Sequence, residues 1–195
     1  MKLLLAVLLA VILPLSDAFG EEELYSLFKG VNTLKINFSQ KTRLPVAGDE
    51  VSLYEGVIYY KRPLKFRWEY TKGADVLIVS DGKFIKSSIE GECQIGELSN
   101  QPLFPLIELI ESPEKFKSSF KVKRVEREGD TEEITVTPNY DEPFFKEITF
   151  VIKNGELAEV KTLQEDGTQA KYEIKKVVRN LPLKDSLFKV TPCEE

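Results

Sequence analysis

The chain has 195 residues with 27 basic and 32 acidic side chains, a net charge of −5 and no histidine. Both signs of charge are interspersed, so we expect no face that binds nucleic acid. Without histidine there is no Ser–His or Cys–His nucleophile pair and no His-ligated metal site. An enzyme would have to use carboxylates or lysines alone. We therefore expect a protein that is not an enzyme, with no catalytic residue, no metal and no cofactor.

The N-terminus begins with an uncharged, mainly apolar run from Leu3 to Leu15. A membrane-spanning helix needs about 20 such residues, so this run is too short to be one. It fits the central region of a secretory signal peptide. We expect residues 1–20 to be removed by cleavage after Ala18 or Gly20, leaving residues 21–195 as a single domain. A retained membrane anchor is the alternative.

The two cysteines of the chain are Cys93 and Cys193. Exported proteins reach an oxidising compartment, where paired cysteines commonly form disulfides. In the chain-entropy model, closing a loop of about 100 residues adds at most about 4.7 kcal/mol of stability. The sequence predicts this disulfide, with two unrelated thiols as the alternative.

The apolar pattern changes period along the chain. Leu24, Leu27, Phe28 and Val31 have the spacing of a short helix. After that helix the pattern alternates, most strictly in residues 64–70, as in strands with one face buried. Counting the segments gives about ten strands in a meander. Four turn signals separate strand-like segments: Asp81-Gly82, Gly129-Asp130, Asn154-Gly155 and Asp166-Gly167.

Residues 99–111 interrupt the strand pattern with helical spacing of apolar residues. Ser99 or Asn100 is expected to cap this helix, and a second helix is expected to begin at Ser112-Pro113-Glu114. A helix that is apolar over most of its circumference needs cover on more than one side. The apolar positions are Leu103, Leu106, Ile107 and Ile110, with Phe104 and Leu109 on the flanks.

The segment from Tyr54 to Tyr70 concentrates aromatic residues. Two interpretations stay open, because sheet cores and pocket walls are both apolar and aromatic. The aromatic side chains could be ordinary core, or Phe66 and Trp68 could face a cavity covered by the helix at 103–110. Arg62, at the end of a strand, has five donors that could hold backbone carbonyls of such a cover.

Several motifs occur in a fixed order along the chain. They are Phe38-Ser39-Gln40, Glu55-Gly56, a K-R-P-x-x-F-x-W motif from Lys61 to Trp68, V-S-D-G-K from Val79 to Lys83, the proline-containing apolar helix, and F-x-x-T-P from Phe188 to Pro192. In these motifs the sequence resembles the periplasmic outer-membrane lipoprotein carrier proteins, the LolA family. The resemblance covers most of residues 21–195.

The resemblance implies a mainly β fold, an incomplete antiparallel β-barrel of roughly ten to eleven strands whose helices form a lid over an apolar cavity. It implies a monomeric carrier in the periplasm that binds the acyl chains of lipoproteins. The implied partners are acylated lipoproteins, an inner-membrane ABC transporter of the LolCDE type and an outer-membrane receptor of the LolB type.

The resemblance also assigns roles to residues. Arg62 matches the arginine that gates the lid. The strand after V-S-D-G-K departs from the family because it keeps only one aromatic residue, Phe84, and the cysteine pair is not part of the matched pattern. If formed, the disulfide would restrain the barrel. The expected acyl-chain-binding residues are Phe38, Tyr59, Phe66, Trp68, Leu103, Leu106, Ile107 and Ile110.

Two other functions remain open from the sequence. A related carrier could bind a different lipid, such as a glycolipid or an isoprenoid. Alternatively, a similar half-barrel could serve as an envelope-sensing interaction module, although such a module usually needs a second domain.

Overall fold

The computed structural model describes residues 22–45, 50–100 and 104–193. Within these ranges the chain forms one antiparallel sheet of 11 strands in the order β6-β5-β4-β3-β2-β1-β11-β10-β9-β8-β7. Strands β6 and β7 lie at opposite ends of this order, so the barrel is not closed. The strands are β1 Thr33–Leu44, β2 Glu50–Lys61, β3 Lys65–Lys72, β4 Val76–Asp81, β5 Phe84–Ile89, β6 Glu92–Glu97, β7 Phe120–Glu128, β8 Thr131–Pro138, β9 Phe145–Lys153, β10 Glu156–Gln164 and β11 Gln169–Arg179.

Most neighbouring strands of the sheet follow one another directly in the chain. All four predicted turn signals lie between consecutive strands. At the first turn, Oδ1 of Asp81 accepts hydrogen bonds from the backbone N–H groups of Lys83 (2.9 Å) and Phe84 (2.8 Å). This side-chain bonding is why aspartate favours such turns. The predictions of a mainly β fold and of an open antiparallel barrel are confirmed.

In the described part of the chain, three short helices accompany the sheet: α1 at residues 22–26, α2 Pro105–Glu111 and α3 Pro113–Ser119. The helix predicted from residue 99 begins only at Pro105, so a cap at Ser99 or Asn100 is wrong. Residues 98–100 form a 3-10 turn instead, and Phe104 takes the N-cap position without a side-chain bond. The predicted start of the next helix is correct, because Ser112 accepts a bond from the backbone N–H of Lys115 (3.2 Å).

The core lies on one face of the sheet, here called the inner face. Leu34, Ile36 and Phe38 of β1 point into it and are at most 3% exposed. Leu24 and Phe28, from α1 and the turn after it, belong to the same apolar cluster. All of Pro105–Ile110 in α2 is buried, as expected for a helix covered on several sides. Burying each large apolar side chain gains about 1.5–3 kcal/mol.

The opposite, outer face carries the end of the chain. After β11, residues 180–193 run across this face, and we call them the C-terminal strap. The strap first meets β1, where Oγ1 of Thr33 donates to the carbonyl of Leu181 (2.6 Å). At β2, Nζ of Lys61 donates to the carbonyl of Leu183 (3.0 Å).

The strap then continues to the edge of the sheet. Asp185 forms an ion pair with Lys65 of β3 (3.2 Å), and Phe188, 1% exposed, lies in a 3-10 turn that packs against β3 and β4. A disulfide joins Cys193 to Cys93 of the edge strand β6, with their Cα atoms 5.8 Å apart. The strap therefore connects β1 to β6 across the back of the sheet.

Candidate functional site

A cavity of about 470 Å³ opens on the inner face of the sheet. Its wall is mainly aromatic and aliphatic, with a few polar groups at one end, which is the usual make-up of a ligand pocket. None of the lining residues is Lys or Arg. They are Gln40, Thr42, Leu44, Tyr54, Trp68, Tyr70, Ala74, Val76, Ile78, Glu90, Phe104, Phe144, Phe145, Gln164 and Tyr172.

A second cavity of about 220 Å³ adjoins the first and is more uniformly apolar. The two share five lining residues, which therefore stand between them: Trp68, Ile78, Phe104, Phe144 and Phe145. Phe66 of β3, Ile85 of β5 and Ile107 of α2 line only the smaller one. The two cavities thus form one apolar space with an aromatic constriction.

Phe104, directly before α2, forms the centre of that constriction. Its ring meets the Trp68 ring edge to face at 4.6 Å between centroids, and it contacts Phe145 and Tyr172 at 5.8 Å each. Edge-to-face pairs at these distances are worth about 0.5–1.5 kcal/mol beyond the area they bury. The start of α2 therefore plugs the cavity with one aromatic side chain.

The aromatic packing beside this plug requires a glycine in β2, Gly56. The Phe38 ring lies directly over Gly56 of β2, and a Cβ added there would collide with that ring and lie 2.7 Å from the carbonyl oxygen of Glu69. Gly56 thus lets Phe38 reach the rings of Trp68 and Tyr70, at 5.5 and 5.7 Å. This close approach explains why the E-G motif stands beside the aromatic wall.

The other end of α2 is held by Arg62. Its Nη1 donates to the carbonyl of Glu111 and its Nη2 to the carbonyl of Ile110, while Nε donates to the carbonyl of Val31 (2.8 Å). The last carbonyls of a helix have no partners within the helix. The guanidinium satisfies two of them at once, and its positive charge suits the negative end of the helix dipole.

Glu111 completes this attachment and was missed by the sequence analysis. Its Oε2 accepts hydrogen bonds from the hydroxyl of Tyr60 and from the backbone N–H of Leu64 (2.9 Å). Its Oε1 lies 3.7 Å from Nη1 of Arg62. Burial, followed by the hydrogen bond to this carboxylate, raises the pKa of Tyr60, which therefore stays a neutral donor. We call Tyr60, Arg62 and Glu111 the clamp.

Only some of the expected acyl-chain-binding residues line the inner cavities. Phe66, Trp68 and Ile107 line the cavities, and Phe38 packs behind Trp68. Their binding of acyl chains stays a prediction. Two further candidates, Leu106 and Ile110, are buried in the core and do not line either inner cavity, and the candidate Leu103 lies outside the described residues.

Tyr59, also expected to bind acyl chains, lies on the outer face of the sheet, away from the inner cavity, and its binding of acyl chains stays a prediction. It is paired across the strands with Lys35 and Arg67, and Nζ of Lys35 lies 5.3 Å from the centre of its ring. Both partners are on the outer face. Because side chains alternate along a strand, the inward positions of β2 are Ile58 and Tyr60.

Two grooves of 450 and 430 Å³ lie on the outer face. Their linings include Lys41, Lys171, Glu55 and Glu147, so charged groups rather than apolar ones would meet a ligand there. They match the inner cavity in size but differ from it in carrying several charged side chains among their lining residues.

No group of acidic or cysteine side chains with the arrangement of a metal site occurs in the described ranges. Within the same ranges, no helix has the length and apolarity that crossing a membrane requires. An open antiparallel sheet that bends around an apolar, helix-plugged cavity is the architecture of a binding protein for apolar molecules.

Comparison with known proteins identifies the family. The model of the outer membrane lipoprotein carrier protein LolA matches residues 29–191, so the chain belongs to the LolA family. This is a family of carrier proteins and not of enzymes.

Individual relatives extend the match over most of the chain. The outer-membrane lipoprotein carrier protein of Chromobacterium violaceum is 26% identical over 183 residues, covering 91% of this chain and 85% of the relative. That of Photobacterium profundum is 27% identical over 196 residues, covering 97% and 94%. An uncharacterized conserved protein from Thermus thermophilus has a similar fold, with a TM-score of 0.53, 13% identity and coverage of 89% and 94%.

Proposed function

We propose that residues 21–195, freed of a signal peptide, form a periplasmic carrier that binds the acyl chains of lipoproteins and moves them from the inner to the outer membrane. The observation that supports this most is the aromatic cavity on the inner face, plugged by Phe104 in a chain of the LolA family. The relatives from Chromobacterium violaceum and Photobacterium profundum are named outer-membrane lipoprotein carrier proteins.

The energetics of acyl chains require a carrier that never releases its cargo into water. Each buried methylene group gains about 0.8 kcal/mol, so three chains with roughly 40 such groups gain on the order of 30 kcal/mol in a membrane. Spontaneous desorption is therefore negligibly slow. We infer that cargo is taken from an inner-membrane transporter of the LolCDE type and passed directly to an acceptor of the LolB type, with the carrier acting as a monomer.

Loading requires α2 to move. A cavity of about 470 Å³ is in the range that encloses one small organic ligand, and three acyl chains need more room. Withdrawing Phe104 would merge the two cavities, and breaking the clamp would free the other end of the helix. The carrier thus needs two lid states that differ by only a few kcal/mol, which cargo and acceptor shift in opposite directions.

Displacement of an environment-sensitive apolar dye from residues 21–195 tests the proposal. A synthetic triacylated lipopeptide should displace the dye, and a diacyl phospholipid should do so less well. Equal displacement by the phospholipid would instead indicate a carrier of another lipid. If no dye binds, the aromatic residues are ordinary core and the proposal is wrong.

A further inference from the structure

The larger cavity contains a small polar cluster that a purely apolar binding site would not need. The hydroxyl of Tyr70 donates to Oε1 of Gln40, and Nε2 of Gln40 donates to Oγ1 of Thr42 (2.8 Å). Gln40 and Thr42 are only 9% and 8% exposed. Buried polar groups cost free energy unless they are hydrogen-bonded, so a cluster with unused donors indicates a missing partner.

Three donors in this cluster are unused in the described part of the chain. Trp68 is 6% exposed, and its buried Nε1–H forms no hydrogen bond of normal geometry, although the side chain interacts electrostatically with the Tyr70 hydroxyl. The hydroxyl of Thr42 accepts from Gln40, which leaves its own hydrogen free to donate, and the amide of Gln40 has a second N–H. All three residues line the same cavity. Together they offer N–H and O–H donors and need an acceptor.

The charge around the cluster restricts which acceptor fits. The lining of the cavity contains no Lys or Arg, and its one carboxylate, Glu90, would repel an anion. Burial raises the pKa of Tyr70 to about 12, and burial also raises the pKa of Tyr172. Both therefore remain neutral at physiological pH. A phosphate or a free carboxylate would find no counter-charge here, whereas a neutral carbonyl oxygen would need none.

We propose that Gln40, Thr42 and Trp68 form a subsite for the ester and amide carbonyls that link acyl chains to a lipoprotein's N-terminal cysteine. This inference rests on the proposed carrier function and deepens it. The carbonyls would accept from the three donors, while the chains extend past Trp68 into the smaller cavity. Phospholipids carry the same ester linkages, so selection against anionic ones would rest on the absence of a counter-charge for their phosphate in this cavity.

The direct test measures the affinity of wild-type protein for two lipopeptides of equal chain length. One carries its chains through ester linkages and the other through ether linkages. The ether compound keeps the apolar chains and lacks the ester carbonyls. Because a neutral hydrogen bond contributes modestly, the ester compound should bind roughly three- to tenfold tighter. Equal affinity would overturn the subsite and leave the carrier function standing. If neither compound binds, the carrier function fails as well.

Variants of the subsite residues test whether these side chains cause the preference for the ester compound. The double variant Gln40→Leu/Thr42→Val should lose most of the preference for esters, and Trp68→Phe provides a separate test of the indole donor. The matched control is Thr162→Val, since Thr162 is 5% exposed with an unpartnered hydroxyl but does not line the cavity. Loss of the preference in the control would contradict the assignment.

Discussion

Arg62 links two parts of the molecule that are far apart in sequence. It binds the carbonyls that end α2 and also the carbonyl of Val31, just before β1. This one side chain therefore ties the end of the helix to two places on the sheet side. Its position also explains the K-R-P motif, because the end of β2 is the point where the guanidinium reaches α2.

We predict that Arg62→Leu folds and loads lipid but releases it slowly. Leucine leaves the carbonyls of α2 without donors, so the closed state becomes less stable while the open, loaded state is unaffected. If the closed state is destabilised by about 1.4 kcal/mol, release slows about tenfold. The measurement is the rate at which loaded protein passes a fluorescent triacylated lipopeptide to acceptor vesicles.

The control for this variant is Arg67→Leu in the next strand. Arg67 points to the outer face and bonds Glu69 (2.8 Å) without touching α2. It should release lipid at the wild-type rate. Wild-type release by the Arg62 variant would rule out gating by the clamp.

A second residue-scale feature is a pair of carboxyl groups between α1 and the sheet. Glu132 of β8 is 5% exposed and receives a bond from Nε of Arg127 (2.6 Å). A hydrogen bond with Glu132, then burial and repulsion by Glu132, raise the pKa of Glu23 above its ordinary value of 4.5. The folded protein thus favours protonated Glu23. The stability that protonated Glu23 contributes is lost as the pH rises above 4.5 and the group ionises.

We therefore expect Glu23→Gln to be more stable than wild type at pH 7. The neutral amide removes the repulsion and can still donate to Glu132. The difference should shrink as the pH falls toward 4, where wild-type Glu23 is protonated. Urea unfolding between pH 4 and pH 8 measures this. Exposed Glu22→Gln is the control and should show no such trend. A Glu23 variant less stable than wild type at pH 7 would contradict the explanation.

At the scale of elements, the sequence predicted the strands better than the site. Hairpins could be predicted because turn chemistry is local, as in Asp81-Gly82. In β2, however, the run Val57–Tyr60 is apolar on both faces, so alternation could not decide whether Tyr59 or Tyr60 points inward. Glu111 could not be found because its partners lie about 50 residues earlier. Only the folded sheet brings them to the helix end.

The C-terminal strap is the element least expected from the pattern of strands. It runs over the outer face, and near its end Nζ of Lys86 donates to the carbonyl of Pro192 (3.2 Å). Since the disulfide closes a loop of 100 residues, it restricts the unfolded chain more than the folded one. The strap therefore stabilises the β1–β6 half of the sheet without entering the cavity.

We predict that reducing the disulfide lowers the free energy of unfolding by about 2–4 kcal/mol. Lipopeptide affinity should change little, because Cys93 and Cys193 lie away from the cavity. Urea unfolding with and without reductant measures the first effect, and dye displacement measures the second. The variant Cys93→Ser/Cys193→Ser should be insensitive to reductant. An unchanged unfolding midpoint on reduction of the wild-type protein would show that the disulfide adds no stability.

At the scale of the whole molecule, the two faces of the sheet differ in what they carry. The outer face holds the strap and charged grooves, and the inner face holds the aromatic cavity, closed by Phe104 at one end of α2 and by the clamp at the other. We infer that both attachments release when cargo enters, so that movement of α2 couples the cavity to its surroundings. The central claim is that acyl chains occupy the inner face.

Photo-crosslinking tests that claim most directly. A triacylated lipopeptide with a diazirine near the end of each chain is bound to residues 21–195, irradiated, and the adducts are mapped by mass spectrometry. Our account predicts adducts on the wall of the smaller cavity, at Phe66, Ile85 and Ile107. Adducts confined to the outer grooves around Lys41 and Lys171 would contradict it.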